Sequence, residues 1–264
     1  MMSHAPAKVN IFLKITGVRG GYHELRSRFV RIDSLFDTIR FERKSKESPS
    51  FDLFASTPLP RTNTVSEAYR LLKEAAPRIE SFFKEYAVHL EKRIPQGAGL
   101  GGGSSDAAAF LTLCNEVCGL GLSRKRLAEI GERIGADVPF FVYGFKSANV
   151  EGVGETIAPF EEEPPRLELF TPPLQCDTGA VYRSFRERFA NEIDPDAAKG
   201  WLDLTSAELI RRLDPLEAND LYRAALRLYP QLEEYRGSGR FLSGSGSTLF
   251  HPIPTESEPC RSKS

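Results

Sequence analysis

The sequence predicts a protein of mixed helices and strands, because two hydrophobic periodicities alternate along its 264 residues. Apolar residues occupy every second position over residues 9–15, which is typical of a strand. They recur with helical spacing after Ser123, at Leu127, Ile130 and Ile134. A glycine-rich stretch at residues 94–106 joins a predicted strand to a predicted helix, and the rest of the chain is organised around it.

The N-terminal elements are predicted to be mostly strands. The first strand carries Lys8 and Asn10 on the face opposite its aliphatic row, and a Gly-Gly turn follows at residues 20–21. Short strands are predicted at residues 29–32, 39–41 and 51–54. A helix with a capping box formed by Thr64 and Glu67 is expected to run to Ala76, and an alternating strand leads from residue 86 to residue 94.

The glycine-rich stretch has the features of a phosphate-binding loop. Five of its residues between positions 97 and 103 are glycine, so the backbone N–H groups can approach a ligand closely. Ser104, Ser105 and Asp106 are residue types that cap helices, and the alanines after them favour a helix. A helix N-terminus that opens from such a loop suits a polyphosphate. The alternative is a flexible surface loop, although a linker needs no helix cap.

Two better-known phosphate loops fit less well. The P-loop motif requires a lysine where this chain has Gly103. The dinucleotide fingerprint is matched by Gly97, Gly99 and Gly102, but it should follow a continuously apolar strand. The strand over residues 86–94 instead alternates apolar and polar residues, which predicts one solvated face.

Helices dominate the second half of the prediction. A helix capped by Ser123 is expected to stop at Gly135, and a strand is expected over residues 138–142, directly after Asp137. Residues 148–155 are predicted to form a strand and turn, and residues 161–165 a linker. Beyond it are predicted a strand at 167–170, a helix after Asp177, helices at 206–213 and 221–228, a strand-glycine-strand turn at 241–250 and a frayed polar end from His251.

Composition limits the classes of function. There are 35 Lys and Arg residues against 36 Asp and Glu residues, so no basic field indicates nucleic-acid binding. The four cysteines show neither CxxC pairing nor a clear metal-ligand spacing, which favours a reduced, cytoplasmic setting. No apolar run approaches the length of a membrane span, and the N-terminus lacks the apolar core of a signal peptide.

Three spaced segments together resemble the GHMP kinases. Pro-x-x-x-Gly-Leu-Gly-Gly-Gly-Ser-Ser at residues 95–105 is similar to the signature loop of that superfamily. Pro-Ala-Lys-Val-Asn-Ile-Phe-Leu at 6–13 resembles its first motif, and Leu-Ser-Gly-Ser-Gly-Ser at 242–247 its third. The resemblance implies an α+β kinase with an N-terminal domain at residues 1–160 and a C-terminal domain at 161–264. ATP and substrate are expected to meet in a cleft between them.

Two departures from the superfamily pattern lie near the C-terminus. The third motif continues with Ser247 and Thr248, where many members differ. The chain also ends 14 residues after Phe250, where members usually continue through a helix and a strand. The C-terminal domain is therefore expected to be shortened.

Within the superfamily, the segments at 5–10, 21–25 and 137–141 resemble one branch of small-molecule kinases. That branch uses ATP to phosphorylate the 2-hydroxyl group of a cytidine-bearing methylerythritol in the non-mevalonate isoprenoid pathway. Other members act on mevalonate, phosphomevalonate or homoserine, and these remain alternatives. Mg²⁺ is expected to accompany ATP. The protein is expected to be a monomer or homodimer that binds neither nucleic acid nor membrane.

The resemblance also assigns roles to residues. Asp137 would take the proton of the substrate hydroxyl, and Lys8 would stabilise charge nearby. The plainer alternatives are that Asp137 is a helix or turn cap and that Lys8 lies on a solvated strand face. Tyr22 and Tyr182 would sandwich the cytosine, a task that a flat ring performs by stacking. The remaining substrate residues would be Asn10, His23 on the cytidine and Thr178 near the diphosphate. The ATP-binding residues would be Asn63, Pro95, Gly97, Ala98, Gly99, Leu100, Gly101, Gly102, Gly103, Ser104 and Ser105.

A non-enzymatic RNA- or protein-binding module is the alternative from another functional class, because related two-layer folds occur in ribosomal and translation proteins. The near-neutral charge and the absence of a basic stripe disfavour it.

Overall fold

The computed structural model describes residues 1–237 and 239–253, and these form two sheets covered by helices. The strands are β1 (Met2–Arg19), β2 (Tyr22–Arg43), β3 (Leu53–Ala55), β4 (Tyr86–Glu91), β5 (Ser147–Gly152), β6 (Thr156–Pro159), β7 (Leu167–Phe170), β8 (Phe241–Leu242) and β9 (Leu249–Pro252). The helices are α1 (Thr64–Ala75), α2 (Ile79–Glu85), α3 (Gly102–Val117), α4 (Arg124–Glu132), α5 (Val138–Tyr143), α6 (Thr178–Phe189), α7 (Ser206–Arg212), α8 (Pro215–Ala218), α9 (Asp220–Leu228) and α10 (Leu232–Arg236). The expected mixture of helices and strands is confirmed.

A long antiparallel hairpin of β1 and β2 forms the spine of the larger sheet. It turns at Gly20 and Gly21, whose φ angles of +57° and +85° favour glycine. The prediction of separate strands at 29–32 and 39–41 was wrong, since both belong to β2. Residues 33–35 interrupt the alternation because they have no partner on β1, where the register shifts between Pro6 and Ala7.

The strand β2 has two partners besides β1, each beside a different part of its length. Residues 38–43 pair with β4, and residues 25–30 pair with β5. The order of the sheet is β3-β4-β2-β5-β6, with β1 on β2 outside this path. Helices α1, α3 and α4 contribute to one core with β2 and β4, in which Leu71, Phe110 and Leu127 are buried. This core fixes α3, and with it the glycine-rich loop that precedes α3.

Helix starts differ in detail from the prediction. Asn63, not Thr64, caps α1, and its side chain accepts a hydrogen bond from the backbone N–H of Ser66 at 2.9 Å. The prediction of a capping box was therefore wrong, although the helix begins where expected. Helix α3 begins at Gly102, so Ser105 and Asp106 lie inside its first turns and are buried. Ser123 caps α4 as predicted, and α6 begins after Asp177 as expected, with Asp177 as its cap.

The segment after Asp137 is a helix, α5, and the predicted strand was wrong. Its six residues are apolar or aromatic, so they show neither helical nor strand periodicity. Pro139 lies in the first turn, where its missing N–H breaks no helical hydrogen bond. Helix α5 packs against α3 and α4, which decides the conformation that the local sequence leaves open.

The smaller sheet has the order β7-β9-β8 and is antiparallel. Its strands and the helices α6, α7 and α9 pack against β1, since two cores combine residues of β1 with residues beyond position 175. The strand at 167–170, the helices near 206 and 221, and the strand pair around 241–250 were predicted correctly. The division into domains at 1–160 and 161–264 stays a prediction, and most of the expected frayed end, residues 254–264, lies outside the described residues.

The segment 161–165 contains neither helix nor strand, as expected of a linker. It is nevertheless anchored, because the Glu162 side chain is buried and forms an ion pair with Arg28 of β2. In the part of the chain that the structure describes, no helix is long and apolar enough to cross a membrane.

Candidate active site

A cavity of about 450 Å³ lies where β1, the glycine-rich loop, α3, α6 and the β8–β9 turn meet. Most of the residues predicted for catalysis or binding line it, although they come from positions 8 to 182 of the sequence. The ones that line it are Lys8, Asn10, Asn63, Pro95, Gly97, Ala98, Gly99, Leu100, Gly101, Gly102, Gly103, Ser104, Asp137, Thr178 and Tyr182. Ser105, Tyr22 and His23 lie outside the lining.

The glycine-rich loop has the backbone that its sequence requires. Gly97, Gly99 and Gly101 have φ angles of +65°, +74° and +70°, which side chains other than glycine rarely adopt. A Cβ on Gly99 would lie 2.1 Å from the carbonyl oxygen of Ser243, so a side chain does not fit there. Helix α3 then begins at Gly102, and its first N–H groups have no acceptor within the helix. Such N–H groups and the positive end of the helix dipole are suited to an anion.

The β8–β9 turn is hydrogen-bonded to the glycine-rich loop. Ser243 Oγ donates to the carbonyl of Gly99 at 2.9 Å and accepts from the backbone N–H of Asn10 at 3.3 Å. The N–H of Thr248 donates to the carbonyl of Ala98 at 3.1 Å. Ser247 Oγ donates to the carbonyl of Leu174 at 2.5 Å. Ser243 and Thr248 thus support the loop from the adjoining turn, whereas Ser247 ties that turn to the segment after β7.

Lys8 and Asp137 form an ion pair in the lining of the cavity. The distance from Lys8 Nζ to Asp137 Oδ2 is 3.2 Å, and the lysine is buried while the carboxylate is partly exposed. Lys8 Nζ also donates to Asn10 Oδ1 at 2.6 Å and lies 4.2 Å from the ring centre of Phe29. The plainer reading of Lys8 as part of a solvated face is excluded, because Lys8 is only 4% exposed.

Asn10 fixes the position of the lysine. Its amide Nδ2 donates to Ser27 Oγ at 2.9 Å, and Ser27 Oγ donates to the carbonyl of Phe12 at 2.5 Å. The amide oxygen of Asn10 is therefore turned towards Lys8 Nζ. Among the described residues, the Asp137 side chain makes no capping hydrogen bond to α5. The reading of Asp137 as a helix cap is thereby disfavoured, and the carboxylate is available to a ligand in the cavity.

At the α6 end, the cavity is bordered by aromatic and hydroxyl side chains. The rings of His23 and Tyr182 are 5.1 Å apart between centroids, and burial raises the pKa of the Tyr182 phenol. Burial, followed by the charge of Arg186, lowers the pKa of His23, so its ring is neutral at pH 7. Thr178 Oγ1 and Ser245 Oγ are 2.8 Å apart. Tyr22 lies at the hairpin turn and is 72% exposed, so in this conformation it does not stack on Tyr182.

Sequence reasoning missed Lys92, which lines the cavity between β4 and the glycine-rich loop. Its ammonium is buried between the carboxylates of Asp37 and Asp106. The available signal was a lysine only three residues before the signature proline. In the described part of the chain, no group of three or more His, Cys, Asp or Glu residues is placed to hold a metal ion.

The loop geometry predicts the effect of adding one methyl group. Gly101→Ala is expected to raise the Kd for ATP by roughly 5- to 30-fold. The range corresponds to the cost of about 1–2 kcal/mol for holding a non-glycine residue in the left-handed conformation that the binding loop requires. The new Cβ would also lie 3.1 Å from Lys8 Cγ. Isothermal titration calorimetry measures the change. Gly119→Ala is the matched control, because Gly119 has a φ of +56° and a Cβ added there would meet open space. An equal loss of affinity for ATP in both variants contradicts a role of Gly101 in binding ATP.

Comparisons with known proteins agree with this geometry. Residues 63–145 match the family model for the GHMP kinases N terminal domain. The chain is 49% identical over 248 residues to a 4-diphosphocytidyl-2-C-methyl-D-erythritol kinase of Sulfurovum sp. (strain NBC37-1), with 94% of this chain and 97% of that protein covered. It is 47% identical over 252 residues to the enzyme of the same name from Sulfurimonas denitrificans, with 93% and 94% covered.

Solved structures give the same result at the level of the fold. A crystal structure of 4-(cytidine 5'-diphospho)-2C-methyl-D-erythritol kinase superposes with a TM-score of 0.75 at 36% identity, covering 96% of this chain and 90% of that chain. The mevalonate kinase of Methanococcus jannaschii superposes with a TM-score of 0.62 at 14% identity, over 96% and 90%, and shares the fold alone. The sequence motifs, the cavity and these relatives lead to one conclusion: the chain belongs to the 4-diphosphocytidyl-2-C-methyl-D-erythritol kinase family of the GHMP kinases.

Proposed function

We propose that this kinase transfers the γ-phosphoryl group of ATP to the 2-hydroxyl group of 4-diphosphocytidyl-2-C-methyl-D-erythritol. The observation that carries the proposal is the Lys8–Asp137 pair, which shares one cavity with the N-terminus of α3. A phosphate-binding backbone and a carboxylate that can accept a proton are the two parts that such a transfer needs. The identity to kinases of this name supports the choice of substrate.

In the proposed reaction, the phosphates of ATP bind along the backbone N–H groups from Gly101 to Ser104. The substrate hydroxyl oxygen attacks the γ-phosphorus, the bond from that phosphorus to the β,γ-bridging oxygen breaks, and ADP leaves. Asp137 accepts the hydroxyl proton, and the Lys8 ammonium stabilises negative charge on the transferred group. Such a transfer depends mainly on positioning and on charge neutralisation. Mg²⁺ bound with ATP would neutralise phosphate charge, and few protein ligands are expected for it because magnesium keeps much of its water.

The cytidine end of the substrate is proposed to lie against α6. Tyr182 offers a ring face, and the neutral His23 has a buried Nε2 without a hydrogen-bond partner in the described part of the chain. An unpaired polar atom that is buried is unfavourable, so a base that hydrogen-bonds to it gains affinity. For Tyr22 to complete a sandwich, the exposed hairpin turn has to move towards Tyr182.

The ring of Tyr182 is expected to bind by its face. Tyr182→Ala should raise the KM for the cytidine substrate by roughly 5- to 150-fold, from about 1–3 kcal/mol for stacking on one ring. Tyr182→Phe is the control and should change the KM little, since it keeps the ring. Steady-state kinetics at saturating ATP measure both. An unaltered KM in Tyr182→Ala contradicts this placement of the base.

The substrate assignment is tested by measuring ADP formation with four acceptors: the cytidine substrate, mevalonate, phosphomevalonate and homoserine. The highest kcat/KM is expected for the cytidine substrate, because a small acyclic acceptor has no base to stack on Tyr182. A higher kcat/KM for any of the other three overturns the assignment and leaves a kinase of different specificity.

We further propose a cytoplasmic enzyme that acts as a monomer or homodimer without nucleic acid or membrane. Supporting this, the charges nearly balance over the chain. Cys114, Cys118 and Cys176 are free thiols, as in reducing compartments.

A further inference from the structure

A buried cluster of three charged side chains lies at the N-terminal end of α3, where the phosphates are proposed to bind. Lys92 Nζ contacts Asp106 Oδ2 at 2.7 Å and also contacts Asp37 Oδ2. Asp37 comes from β2, Lys92 follows β4, and Asp106 lies in the first turns of α3. All three side chains are almost completely buried. With all three ionised, the cluster carries a net charge of −1 in a place that excludes water.

The hydrogen bonds distinguish the two carboxylates. Asp37 Oδ1 accepts from the backbone N–H groups of Arg93 and Ile94, the latter at 2.8 Å, and Asp37 Oδ2 contacts Lys92. Both oxygens of Asp37 are thus satisfied as acceptors. Asp106 Oδ2 contacts Lys92, whereas Asp106 Oδ1 is buried without a partner among the described residues. An ionised carboxylate with an unpaired, buried oxygen is unfavourable.

The cluster borders the cavity. Lys92 and Asp106 both line it, and Lys92 Nζ lies 3.4 Å from the position of a Cβ on Gly102. A net negative charge beside a site for a polyanion opposes binding, and the opposition is strong where water is excluded. The conflict disappears if one carboxyl group takes up a proton, and the hydrogen bonds identify Asp106 Oδ1 as the atom that is free to hold it.

We propose that Asp106 takes up a proton when ATP binds, so that the cluster becomes neutral beneath the phosphates and nucleotide binding is coupled to proton uptake. The inference rests on the proposed function, since it requires ATP in this cavity. Burial is the largest of the effects that raise the pKa of Asp106 to about 7, and Asp37 adds to it while Lys92 opposes it. These are the charged groups that face Asp106 from β2 and from the segment after β4. Nearby phosphates raise that pKa further, so uptake accompanies binding above pH 7.

Calorimetry of MgATP binding at pH 8, in two buffers with different ionisation enthalpies, tests the coupling. For the wild-type chain we expect uptake of close to one proton per ATP, because Asp106 is mostly ionised at pH 8 before binding. Between pH 7 and 9 the Kd for ATP should rise by up to about tenfold per pH unit. Asp106→Asn is neutral and isosteric; it should bind ATP at pH 8 at least as tightly as wild type, without that uptake or that pH dependence.

Glu116→Gln is the matched control, because Glu116 is an exposed acid near the far end of α3. It should keep the wild-type uptake. Absence of proton uptake by the wild-type chain at pH 8, or equal uptake in Asp106→Asn, overturns the inference and leaves the proposed kinase function intact. Failure of the wild-type chain to bind ATP overturns both.

A second measurement removes the dependence on the variant's folding. An infrared difference spectrum of the wild-type chain, recorded before and after ATP at pH 8, should gain the carbonyl band of a protonated carboxyl group. A spectrum without that band contradicts the inference, whatever the stability of Asp106→Asn.

Discussion

Asp137→Asn is expected to lower kcat by about 10²- to 10⁴-fold, the usual contribution of a general base. The amide cannot accept the hydroxyl proton, and it leaves the Lys8 ammonium, 3.2 Å away in the native protein, without its carboxylate. The Kd for ATP should stay within a few-fold, because the phosphates bind to the backbone of the glycine-rich loop instead. Single-turnover phosphoryl transfer, measured at saturating ATP and substrate, gives the effect on the chemical step.

The fold should survive this change, because Asp137 makes no capping hydrogen bond to α5 within the described residues. Glu132→Gln, at an exposed acid of α4, is the control and should keep wild-type turnover. If Asp137→Asn retains more than roughly a tenth of the wild-type rate, the carboxylate is not the general base.

Glu162→Gln is expected to reduce the free energy of unfolding by about 3–5 kcal/mol, because it leaves a buried arginine without its counter-ion. The side chains of Arg28 and Glu162 are 0% and 2% exposed. Burial is the main effect that lowers the pKa of Arg28, and the charge of Glu162 opposes it. Glu162 Oε1 also accepts from Ser147 Oγ and Ser206 Oγ, both at 2.6 Å.

Equilibrium urea unfolding at pH 7 measures the loss. Glu163→Gln is the matched control: the neighbouring glutamate is 87% exposed and lies 3.6 Å from Lys146. An exposed pair of this kind contributes about 0–1 kcal/mol. A loss for Glu162→Gln as small as that for Glu163→Gln contradicts a stabilising role for the buried pair.

The sequence by itself determined the features that depend on neighbouring residues. The glycines at 97–103 permit the positive φ angles of a tight loop, and the helix after them presents its N–H groups whatever packs around it. The cap at Ser123 was predictable because a cap is a hydrogen bond across three residues. Alternation over residues 9–15 likewise fixed a strand with two different faces.

Tertiary structure alone decided which side chains meet. The apolar segment after Asp137 is a helix because α3 and α4 pack against it, and local periodicity carried no information on that. Only folding brings the Asp137 carboxylate to Lys8, which lies in a strand 129 residues earlier. The same holds for Asp106 beside Lys92 and for Glu162 beside Arg28. The energy of a charge depends on its burial and its partners, and these are set by packing between distant segments rather than by the order of residues along the chain.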